Sequence, residues 1–449
     1  MAKGPRADEK SAGKARRAVV PRSHHGDWEP APDRGDPIAV LTAENRDRIA
    51  SLVPVRWGRM LESPFGFLRG AAAVMAADLA STPATGIEVQ ACGDAHVANF
   101  GVFASPERIL LFDVNDFDET GTGPFEWDLK RLTTSAVVVA RGAGIAEADA
   151  VGAARATVSS YRHHMRRYAS MSVLDIWYSR VDADAAVRAL GSAPGGSFKT
   201  ALARARGHTS RAALPKLTEL TDDGARRIID HPPLVTHDVG ADEKDAIGAL
   251  FDSYRASLDD DRRVLVDRFT LVDVARKVVG VGSVGTRCFI ALLTSDVGEP
   301  LFLQVKEAEP SVLARRPPDV ANAVGGEGRR VVDGQKLMQA ASDIFLGSAS
   351  WRGRDYYVRQ LRDMKGVIDL SALDAGDLAR YLELCGWTLA RAHARAGRAA
   401  AIAGYMGGGS VFDDAVARFA VAYADQTERD HALLVDAVWS GRIEARGGV

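Results

Sequence analysis

The chain has 449 residues, 46% hydrophobic and 26% charged, and its 57 Lys and Arg against 59 Asp and Glu leave a formal net charge of −2. That length buries a large core and suggests two or three domains. The near balance of charge argues against a protein that wraps nucleic acid with its whole surface, which requires clustered excess Lys and Arg.

Residues 1 to 40 mix Lys, Arg, Pro, Gly and His without periodicity, so a disordered basic tail is expected there. From 43 to 80, apolar residues recur at helical intervals with a break near Ser63 and Pro64, which predicts two helices. Arg56, Arg59 and Arg69 fall on them, and surface ion pairing is expected of these arginines ahead of anion binding. A short strand at 89 to 92 then enters Gly93-Asp94-Ala95-His96-Val97-Ala98-Asn99. A second strand at 109 to 112 ends in Asp113-Val114-Asn115-Asp116-Phe117-Asp118.

Phosphoryl transfer needs an acceptor for the substrate hydroxyl proton and oxygen ligands that hold Mg²⁺ against nucleotide phosphates. An Asp, an Asn five residues later and an acidic cluster beyond a strand supply those groups in that order. Three carboxylates so close repel one another unless a cation compensates, which favours metal at one of them at least.

Largely helical patterns follow at 128 to 166, 173 to 190 and 244 to 258, with loops expected at 191 to 196 and 206 to 225. Between 264 and 308 the composition shifts to β-branched and aliphatic residues punctuated by Gly, which predicts an antiparallel sheet. Inside it stands Gly280-Val281-Gly282-Ser283-Val284-Gly285. Alone this is weak, since about 0.4 such matches arise by chance in a chain with this much Gly. Its context is strand, glycine loop, strand, turn and a strand ending in Lys306, so the loop amides and Lys306 are candidate phosphate-binding groups. An acidic partner for Lys306 is expected on the next helix, 326 to 345, where Glu327 and Asp333 are the candidates. A strand at 356 to 361 follows, then helices at 373 to 397 and 411 to 440.

Three cysteines, Cys92, Cys288 and Cys385, without metal-ligand spacing argue against a disulfide scaffold and point to a reducing cytoplasm. No apolar run reaches the roughly 20 residues of a membrane span.

The phrases at 92 to 101, 112 to 118, 123 to 131 and 334 to 343 resemble the bacterial domain of unknown function 2252 family. Residues 93 to 132 are similar to the aminoglycoside and choline phosphotransferase branch of kinase-like enzymes. By position, that resemblance implies Asp94 as catalytic base, Asn99 and Asp116 as metal ligands, and Asp128 as a structural carboxylate. The spacing from Asn99 slightly favours Asp113 in place of Asp116. His96 stands beside the base, ordering the loop or joining the chemistry.

The implied fold is α+β, a bilobal protein-kinase-like fold in permuted chain order, because the catalytic and metal loops precede the glycine loop and Lys306. Its parts would be the tail 1–40, a helical lobe 41–262, a β-rich nucleotide-binding lobe 263–365 and returning helices 366–449. The expected function is ATP- and Mg²⁺-dependent transfer of phosphate to a hydroxyl of a small molecule. Gly280, Gly282, Ser283, Gly285, Lys306 and Glu327 would serve the nucleotide. Two alternatives are a nucleotide-binding pseudokinase that acts through a protein partner and a metal-dependent phosphoesterase.

Overall fold

A computed structural model describes residues 5–189, 196–237, 241–315, 325–361 and 364–448. It combines helices with antiparallel sheets. Of the loop expected at 191 to 196, residues 191 to 195 lie outside the described residues, and Gly196 starts the helix Gly196–Gly207.

The main core gathers around the helix Phe125–Gly142, whose residues from Phe125 to Ala140 are all buried. A helix buried on every side needs neighbours all round. The helices Glu147–Tyr168, Ala375–Arg395 and Val411–Trp439 supply them. Glu126 and Asp128 occupy its first turn, where the unpaired amides and the helix dipole favour negative charge. On Ala375–Arg395, Leu378, Leu382, Cys385 and Leu389 form one buried stripe, as their spacing predicts.

Six antiparallel strands form the second body, in the order Gly347–Trp351, Arg354–Gln360, Pro300–Ala308, Cys288–Ser295, Phe269–Lys277 and Val235–Thr236. Alternation along Cys288–Ser295 sends Phe289, Ala291 and Leu293 to one face and Ile290 and Leu292 to the other. Both faces are covered, so the strand reads as a continuous apolar run. Each large side chain buried this way contributes about 1.5–3 kcal/mol.

The coverings come from segments that composition joins to the helical part. Leu250, Tyr254 and Leu258 pack on one face, and Ala213 with Ile228 on the other. The small-body core therefore draws on residues well before 263. Within the expected loop at 206 to 225 stands the helix Ser210–Leu217, started by the Thr209 hydroxyl accepting from the Ala212 amide at 3.2 Å. The strand Thr218–Leu220 follows it and pairs with Arg226–Ile228.

The expected tail also contains structure. Pro5–Val19 is a helix seated on Ala399–Met406. Gly13 and Gly404 let the two backbones approach, since a Cβ there would meet Ala401 O at 2.0 Å and Lys10 O at 2.1 Å. Helices Val53–Leu61, Pro64–Gly70 and Ala72–Ala80 fill 53 to 80, with the break at Ser63 as read and a further one at Ala71. No helix among the described residues is long and apolar enough to cross a membrane.

Candidate active site

Asp94 owes its position to a tight turn. Gly93 has φ of 80°, and a Cβ there would lie 2.1 Å from Glu119 O, so only glycine fits. Asp128, at the start of its helix, accepts from the Cys92 amide at 2.7 Å and the Gly93 amide at 2.9 Å, and its Oδ2 lies 3.0 Å from His393 Nε2. That is a structural carboxylate.

Asp94 pairs through Oδ1 with Arg131 Nε, while Oδ2 stands 3.7 Å from His96 Nε2. Burial raises the Asp94 pKa to about 6, although Arg131 pulls in the opposite direction. His96 is driven well below its ordinary value by burial and by Arg69 and Arg131, which keeps the imidazole neutral. It packs edge-on against Phe65, with ring centroids 6.1 Å apart.

The three expected metal ligands separate. Asn99 spends its amide on the backbone: Nδ2 donates to Asp94 O at 3.0 Å and Asp116 O at 3.1 Å, and Oδ1 accepts from the Asp116 amide at 2.7 Å. It braces the two loops against each other, and its oxygen uses one of its two lone pairs in doing so. Asp113 is buried beneath the site, where it accepts from Arg391 at 2.6 Å, the Val114 amide at 2.9 Å and the Ala340 amide at 2.9 Å. Its surroundings are those of a core ion pair and not of a metal. Of these three, Asn99 and Asp116 line the cleft, and Asp116 brings a carboxylate to it, with a side chain 44% exposed.

Lys306 sits in the middle of the sheet, paired in register with Cys288 and Tyr357. Its ammonium lies 2.5 Å from Asp118 Oδ2 and 3.5 Å from Asp116 Oδ1. Burial opposes its charge, but these carboxylates raise its pKa well above the ordinary value. Asp118 also accepts from Ser283 Oγ at 2.9 Å and from the Tyr357 hydroxyl at 2.6 Å. Burial works against its ionised form too, yet Lys306 and Tyr357 hold it well below the usual carboxylate range.

The partner expected on the following helix is therefore corrected. Glu327 pairs with Arg330, and Asp333 with Arg329 at 2.8 Å. That helix, Gly326–Met338, reaches the site through Arg330, which donates to Asp118 O at 3.0 Å and Glu309 O at 2.8 Å. With Asp118 satisfying Lys306, no helix carboxylate is needed.

Glycine-loop carbonyls face the N-terminal helices. Arg48 Nη1 donates to Gly282 O and Val284 O, each at 2.7 Å, and the Ile49 amide donates to Gly285 O at 2.8 Å. Gly280, Gly282 and Ser283 line one open cleft with Asp94, His96 and Asp116, and the cleft encloses about 820 Å³ including open solvent. Gly285 stands behind it against Arg48.

Sequence reasoning assigned no role to Arg131 or Tyr357. Arg131 follows Asp128 by three residues on one helix, a spacing that puts both on the same face and was available as a signal. Tyr357 had none, since it depends on strand register.

A magnesium ion carried by nucleotide phosphates needs only one or two protein carboxylates. Asp116 fits that requirement, whereas Asp113, held by Arg391 and two backbone amides, does not; Asn99 lines the cleft but already braces the two loops. Among the described residues no group of three His, Cys, Asp or Glu side chains is set to hold a metal by itself.

A family model described as an uncharacterized protein conserved in bacteria (DUF2252) matches residues 48–437. No curated protein and no solved structure matches the chain.

Proposed function

The chain belongs to this DUF2252 family, and from that premise we propose that it is an ATP- and Mg²⁺-dependent phosphotransferase of kinase-like, permuted build, acting on a hydroxyl of a small molecule. The observation that carries the reading is the 3.5 Å approach of the buried Lys306 ammonium to Asp116, which lines one cleft with Asp94. Strand, glycine loop, strand and lysine strand are joined in one sheet, with the strand Arg354–Gln360 beside the lysine strand. This is the arrangement such a nucleotide site requires.

In this reading Lys306 and the loop amides grip the phosphates, and Asp116 holds magnesium, whose charge offsets that of the phosphate oxygens. Asp94 takes the acceptor's hydroxyl proton as the acceptor oxygen bonds to the γ-phosphorus and the bond to the ADP oxygen breaks. A carboxylate with a pKa near 6 is suited to that task at neutral pH.

The pairing of Asp118 with both Lys306 and Ser283 favours a second reading, a pseudokinase that binds nucleotide and signals through a partner. Transfer from γ-labelled Mg·ATP to a panel of hydroxyl compounds, with Asp94→Asn as control, separates the two. Transfer abolished by Asp94→Asn supports the enzyme. ATP-dependent thermal stabilisation without transfer supports the pseudokinase, and neither effect removes both.

A further inference from the structure

Arg48, Arg56 and Arg69 line the cleft, with Arg131 behind Asp94, and among the described residues all but Arg69 are committed to hydrogen bonds within the protein. Arg48 holds the glycine-loop carbonyls. Arg56 donates to Asn45 Oδ1 at 2.5 Å and to Gly70 O at 2.9 Å, and Arg131 holds Asp94 and Leu68 O. Arg69 lines the same cleft and, among the described residues, makes no hydrogen bond or ion pair. Its guanidinium carbon rests 5.9 Å from the centroid of the Phe65 ring, and its Nε is buried without a partner. The carboxylates of Asp94 and Asp116 are the anions whose fields reach it.

A half-buried guanidinium that no carboxylate claims is held at a cost, and a planar fork of donors is well matched to phosphate oxygens. The neighbouring cation does not have the same freedom, because Lys306 already faces two carboxylates. A phosphoryl group between Asp94 and Asp116 would bring further negative charge between two anions. An uncommitted cation there would offset the charge that magnesium on Asp116 leaves.

We propose that Arg69 binds the non-bridging oxygens of the terminal phosphoryl group in the cleft that it lines with Asp94 and Asp116. This rests on the phosphotransferase reading. Arg69 takes no proton and forms no bond; it stabilises charge on the phosphorus-bound oxygens while the proton goes to Asp94 and ADP departs.

The test is equilibrium binding of Mg·ATP and Mg·ADP to the full chain, as wild type, Arg69→Gln and Arg69→Lys, with thermal unfolding recorded for each. The expected result for Arg69→Gln is a loss of about ten-fold or more for ATP, the size of a charge-assisted hydrogen bond, with ADP changed by less than about two-fold. Arg69→Lys should recover part of the loss, and the unfolding midpoint should not fall in either variant, because among the described residues Arg69 makes no hydrogen bond or ion pair in the fold. Equal losses for both nucleotides, or no loss for either, overturn the proposal while leaving the phosphotransferase reading intact. A wild type that binds neither nucleotide removes the parent reading and this one with it.

Discussion

Lys306 and Asp118 are 188 residues apart in the chain and 2.5 Å apart in space. Removing one partner leaves the other as an uncompensated buried charge, so Lys306→Met should cost about 3 kcal/mol. Joint replacement with Asp118→Asn should cost less than the two single losses added. Urea unfolding of the four proteins gives the coupling. The sign with pH follows from the depressed Asp118 pKa. The stabilisation is complete above the ordinary carboxylate value of about 3.9 and is lost as pH falls through the lower folded value.

Asp94 must be ionised to accept a proton. Turnover per substrate encounter should therefore rise with pH through about 6, and Asp94→Asn should lower turnover by about 10²–10⁴-fold. Arg131 favours the anion, so Arg131→Gln should move that rising limb to higher pH. A pH-rate profile unmoved by Arg131→Gln would separate the limb from Asp94.

Asn99→Asp tests bracing against metal binding. If the side chain braces the loops, a carboxylate at 99 faces the carbonyls of Asp94 and Asp116 with no donor to offer, and stability should fall by about 2–4 kcal/mol. A metal ligand would tolerate the change in a Mg²⁺ titration with little thermal penalty. The expected outcome is the loss of stability.

Asp113 and Asp116 should respond in opposite ways. Asp113→Asn weakens the buried pair with Arg391 and should lower the unfolding midpoint without shifting the Mg²⁺ dependence of nucleotide binding. Asp116→Asn should shift that dependence by about ten-fold or more and leave the midpoint near the wild-type value.

Gly404→Val should undock the N-terminal helix, because a side chain there runs into Lys10 O. Limited trypsin treatment should then cut among Lys10, Lys14 and Arg16 in the variant well before it does so in the wild type.

Much of the sheet and of the Asp94 turn could be read from local pattern. Glycine spacing, β-branched runs and the fixed interval from Gly93 to Asp128 are properties of short stretches of sequence. What stayed illegible depends on contacts across the chain. The helix at Pro5–Val19 looks like a polar tail until Gly13 is placed against Ala401 and Gly404 against Lys10. The covering of the sheet by Ala213 and Ile228 is invisible because both lie in apolar runs too short to show a period. Lys306 chose Asp118 over Glu327 because tertiary placement decides which carboxylate comes within reach, and charge alone does not distinguish them. Asn99 was readable as a polar loop residue, but the direction of its amide was not.

The grip of Arg48 on Gly282 O and Val284 O has a kinetic corollary. A loop tied in this way to the adjoining helices does not lift like a freely hinged flap. If the cleft takes nucleotide as proposed, loosening that hold with Arg48→Ala should show as faster ligand escape before any change in chemistry.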